Sequence, residues 1–91
     1  MKVKAYRIGE NKSGARFAVI RKGNGFVVIK ECHNYEHGRM VTTWRICPTH
    51  LRQSHRDFQA MAKAGMPFDE AEKLFNKKTI KPKAEERKLR Q

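Results

Sequence analysis

The stretch "RFAVIRKGNGFVVIKEC" (16–32) constrains the fold more than any other part of the chain. Two β-branched and aromatic runs, 16–22 and 25–32, flank a Gly-Asn-Gly, and Gly23-Asn24 suits a two-residue type II′ hairpin loop with glycine at the position that needs positive φ. Ala18 then opposes Ile29 and Ile20 opposes Val27. Upstream, "VKAYRI" (3–8) alternates as a short strand, and "GENKSGA" after it is turn-forming. Downstream, "GRMVTTWRIC" (38–47) has the composition of a fourth strand. Four strands joined by short links predict an antiparallel meander.

After Pro48 the period changes. Thr49 is placed to cap a helix whose apolar positions are Leu51, Phe58, Met61 and Ala62. Gly65 suits the position just past its end, and Pro67 opens a second helix in which Phe68, Ala71, Leu74 and Phe75 share one face. Asp69 and Glu70 favour the N-terminal end of that helix dipole, Lys77 and Lys78 its C-terminal end. The expected architecture is α+β: a four-stranded meander backed by a helix, a second short helix, one domain over 1–78, and a basic, mobile or frayed tail over 79–91.

"ECHNYEHGRMVTTWRICPTH" (31–50) gathers both cysteines and three of the four histidines, which raises the question of a metal. With the hairpin loop near Glu36 and His37, Cys32 sits opposite Val41 and Cys47 opposite Phe26. Those partners are about 20 Å apart at about 3.3 Å per residue. Two thiolates on one zinc lie within about 4.6 Å. His50 and His55 point about 140° apart on a helix. No metal or other cofactor is therefore expected, and the melting temperature should ignore chelator. A zinc-stabilised module would instead bind one equivalent and unfold on its removal.

The same register sorts the sheet. Ala18, Ile20, Val27, Ile29, Trp44 and Ile46 fall on one face, expected to carry the helix, with Trp44 buried against Ile29 and Phe58. The other face collects Phe17, Val19, Arg21, Phe26, Val28, Lys30, Thr43 and Arg45. Its cations could hold phosphates and its rings could stack on bases. The alternative is that the tail or the second helix covers Phe17 and Phe26 and leaves the cations solvated at the rim.

Charge supports a polyanionic partner. Twenty-one Lys and Arg against nine acids give a formal charge of +12, a large excess for 91 residues. Residues 1–31 hold eight cations against two acids, whereas 67–91 hold eight against five, so the sheet half is the better footprint. The expected site is Arg7, Arg16, Phe17, Arg21, Lys22, Phe26, Lys30 and Arg45, contacting RNA or DNA mainly through its backbone. No RNA-binding aromatic motif, P-loop or zinc-finger spacing is present, and "MAKAGMPFDEAEKLF" has helix-turn-helix rhythm but acids where a recognition helix meets the groove. Scattered carboxylates argue against an enzyme. The rival reading is a small phage- or plasmid-type inhibitor docking on a host nucleoprotein complex, in the manner of anti-CRISPR factors. The longest apolar run, "FVVI", spans no bilayer, and two unpatterned cysteines fit a cytoplasmic setting with no membrane partner.

Overall fold

The computed structural model describes residues 4–80. Strands β1 (Ala5–Glu10), β2 (Arg16–Lys22), β3 (Gly25–Glu36) and β4 (Arg39–Ile46) form one antiparallel sheet in the order β1-β2-β3-β4, followed by helices α1 (His55–Ala64) and α2 (Phe68–Lys78). This is the expected α+β meander. Among the described residues no helix is long and apolar enough to cross a membrane.

The β2–β3 register follows from its turn. Lys22 pairs with Gly25, and Gly23 has the positive φ, 58°, that the loop demands. The β3–β4 register differs from expectation by two residues. Its turn is His37-Gly38, both with positive φ (51° and 80°), so Glu36 pairs with Arg39 and Trp44 faces Glu31 rather than Ile29. A shift of two keeps every side chain on its face but slides it along the strand. β3 also runs four residues further than expected. β2 leaves it at the Phe17–Lys30 pair, so Cys32–Glu36 and Arg39–Thr43 project as a two-stranded ribbon, about 17 Å long at about 3.4 Å per residue.

The helices cover the sheet from opposite sides, and the covered faces correct the expectation. The main core joins Phe17, Val19, Val28 and Cys47 of the sheet to Met66, Ala71, Leu74 and Phe75. α2 therefore lies on the face expected to bind, as the weighed alternative had it. Its apolar stripe is the wider and closes over Phe17, which is only 3% exposed. α1 lies against the other face at one end, where Phe58 and Ala62 border a shallow cleft with Lys22 and Ile46. Trp44, moved one row toward the ribbon by the register shift, is 43% exposed.

Local chemistry sets the helix ends. Ser54, not Thr49, caps α1, accepting the Asp57 N–H at 3.1 Å, while the Thr49 N–H goes to the Gln53 side chain. Leu51 is thereby left in an exposed loop. α1 ends at Gly65, whose N–H donates to the Met61 carbonyl at 2.7 Å. Met66 then exchanges both backbone hydrogen bonds with Phe26, at 2.8 and 2.9 Å, tying the inter-helix turn to the start of β3. The expected tail begins with ordered residues: Ile80 N–H donates to the Glu10 carbonyl at 3.0 Å. The rest of it, 81–91, lies outside the described residues.

Candidate nucleic-acid interface

Side-chain alternation along each strand divides the expected site residues between two faces and three environments. Arg7, Arg21, Phe26, Lys30 and Arg45 share the α2 face with buried Phe17. Arg16 and Lys22 lie on the opposite face. They cannot flank the other cations, which corrects their grouping. Arg16 is 3.7 Å from Glu31, and Lys22 borders the α1 cleft.

At the N-terminal end of α2 three rings form an edge-to-face cluster. Phe26 lies 5.2 Å from Tyr6 and 5.1 Å from Phe68, centroid to centroid. A β-bulge between Ala5 and Arg7 lets both Tyr6 and Arg7 reach this side of the sheet. Each ring carries a cation: Lys4 at 4.9 Å from Tyr6, Arg7 at 5.1 Å from Phe68, Arg21 at 5.8 Å from Phe26. Arg7 also meets Glu72 at 2.8 Å, an exposed pair worth at most about 1 kcal/mol. Phe26 thus has its neighbours inside the protein, and so does Phe17. Phe17 is buried beneath α2, whereas Phe26 keeps part of its surface exposed.

The other cations gather near the C-terminal end of α2. Lys30 and Arg45 are direct cross-strand partners, both exposed, with Lys30 5.9 Å from the Phe17 ring. Beside them is the buried Cys47, whose N–H donates to the Val28 carbonyl at 2.8 Å. Burial pushes the Cys47 thiol up, and the Lys78 and Lys30 ammonium groups pull it partly back, which puts both lysines in its neighbourhood. Arg39 shares this face but stands six residues along β4 from Arg45, about 20 Å away, opposite Glu36. Lys78 and Arg39 lie outside the expected set of site residues. The first reads in sequence only as a helix-dipole partner, and the second gains its place from the ribbon.

Cys47 gives a pH prediction. An unfolded thiol loses its proton near pH 8.5 to 9, whereas the folded one holds it to higher pH. Above that onset the unfolded state binds fewer protons than the folded, so stability falls as pH rises toward the folded value. Urea midpoints taken from neutral pH into that alkaline window should fall more steeply for the parent than for Cys47→Ala. Parallel curves would show that the thiol stays accessible to solvent.

The register shift brings the two cysteines closer than expected. Cys32 pairs with Thr43, and Cys47 bonds to Val28, four residues back along β3, or about 13 Å. Both are free thiols. Among the described residues no three His, Cys, Asp or Glu side chains converge as a metal site.

No family model, curated protein or solved structure matches this chain.

Proposed function

We propose that this is a non-catalytic nucleic-acid-binding protein that grips the phosphate backbone through the Lys30–Arg45 pair, with Lys78 beside it. The observation that carries this reading is the pair itself. Like charges directly opposite each other on a sheet are destabilising. Among the described residues, Arg7 and Arg16 are the only lysines or arginines at ion-pair distance from a carboxylate, so the repulsion between Lys30 and Arg45 is not offset within the fold. A phosphate between the two side chains removes the cost and supplies charge-assisted hydrogen bonds.

Reversal of both charges tests it. Lys30→Glu/Arg45→Glu should abolish binding to duplex and single strands alike, because backbone contacts carry little sequence information. With three phosphates neutralised by Lys30, Arg45 and Lys78, log K for duplex should fall with log salt at a slope of about −2.7, and Lys78→Ala should flatten it by about 0.9. Lys22→Glu/Lys63→Glu makes the same charge change beside α1 and should leave binding nearly intact. Equal losses from both double variants would mean that only net charge matters. Parent-like binding by Lys30→Glu/Arg45→Glu, with binding lost on deletion of 81–91, would assign the footprint to the C-terminal residues.

A further inference from the structure

Tyr35 and Met40 on the ribbon and Trp44 at its root stand on the face of the sheet opposite Lys30, Arg39 and Arg45. They are 72%, 60% and 43% exposed. We infer that this aromatic face is a stacking platform for unpaired bases, so that the protein selects single-stranded over duplex nucleic acid. The inference rests on the phosphate-binding reading above and names the form of nucleic acid it takes.

Three features favour a single strand as the occupant. The first is charge: β4 is an edge strand with two arginines, Arg39 and Arg45, and no acid. Two copies of that edge repel, whereas a polyanion is drawn to it. The second is thickness. A ribbon two strands wide, with backbones about 4.8 Å apart, sets rings on one side and cations on the other, so a strand lying along its edge meets both. The third is the acid beneath the ring. Glu31, the cross-strand partner of Trp44, is held by His33 at 3.0 Å and Arg16 at 3.7 Å and presents little free charge to a phosphate. Tyr35 lies four residues along β3 from the Trp44 row, about 14 Å, which is about four stacked-base steps of 3.4 Å. The two rings therefore take different bases of one short segment. In a duplex the same bases are stacked on one another and closed to both rings.

The chain's one tryptophan makes the test direct. Full-length protein is titrated with an oligothymidylate of about ten nucleotides and with a duplex of similar length, following Trp44 emission and, separately, affinity. The single strand should quench Trp44 and the duplex should not. Trp44→Ala and Tyr35→Ala should each weaken single-strand binding by about 5- to 150-fold with duplex affinity unchanged, and Trp44→Phe should keep most of it. Tyr35, largely exposed, can be removed without disturbing the fold, so its variant remains informative if Trp44→Ala is less stable. If the oligomer binds without quenching and both alanine variants match the parent, stacking is wrong while the phosphate reading survives. If Lys30→Glu/Arg45→Glu also binds like the parent, the phosphate reading fails as well. A parent that sediments as a dimer, turned monomeric by Trp44→Ala, would make the patch a self-interface and overturn the inference.

Discussion

Gly65→Ala should cost about 2–6 kcal/mol, enough to bring a domain of this size close to unfolding. Two penalties combine at this position. Its backbone, at φ 82° and ψ −179°, lies in a region open essentially only to glycine, with a cost of about 1–3 kcal/mol for any other residue. A methyl group there would also stand 2.5 Å from the Lys22 carbonyl oxygen and 2.7 Å from backbone atoms of Gly25 and Phe26, and forcing such overlap adds about 1–3 kcal/mol. The β2–β3 turn and the α1–α2 turn are pressed together here. Gly23 and Gly25 face the same constraint from the other side, with the Lys63 carbonyl 2.6 Å and the Met66 backbone 2.7 Å from where their β-carbons would lie. Small domains keep only about 5 kcal/mol or little more in reserve. A urea midpoint that drops sharply with an unchanged slope is the expected result. Gly14→Ala is the comparison: its φ is 86° but nothing lies within 4 Å, so it reports backbone strain alone. Similar losses for the two variants would show that the turns do not meet.

Phe17→Ala should lower stability by about 3–5 kcal/mol through loss of a buried ring and the cavity it leaves. Affinity of the folded protein for nucleic acid should not change. The sequence reading gave this ring a different role, stacking on a base, for which the expected result is a selective loss of single-strand binding with stability intact. Chemical denaturation and titration of the same variant separate the two. The ring packs with Val19, Val28, Leu74 and Phe75, and Lys30 rests over it from the solvent side. A parent-like midpoint with weakened single-strand binding would return Phe17 to the interface and require α2 to lie elsewhere.

The division between the two outcomes for Phe17 was partly legible in the sequence. "FAVI" at 17–20 and "FVVI" at 26–29 are continuous apolar runs, not alternations, and such runs belong to strands buried on both faces. That feature matches a sheet with a helix on each side. Phe17, Val19 and Val28 are accordingly core residues on the face that also bears Lys30 and Arg45. The extension of β3 left no such trace: Tyr35 is the one aromatic residue past its expected end at Cys32 and sets no period.

The amino-acid sequence by itself determined what local chemistry determines. Gly23-Asn24 specified the β2–β3 turn and with it the register of those strands. Apolar spacing at 68–75 specified the buried stripe of α2, and Gly65 with Pro67 the break between helices. The Lys30–Arg45 pairing needed the tertiary structure. A pattern of period two is unchanged when a strand slides by two residues, so the β3–β4 register rested on a His37-Gly38 turn whose non-glycine left-handed residue gave no strong local signal. That slide set Lys30 against Arg45 and Trp44 against Glu31, where it is 43% exposed. The choice of face was likewise beyond local information. Both faces offer enough aliphatic surface to hold a helix, and the decision came from Gly65 docking against Gly23 and Gly25, which directs α1 to one side of the sheet and α2 to the other.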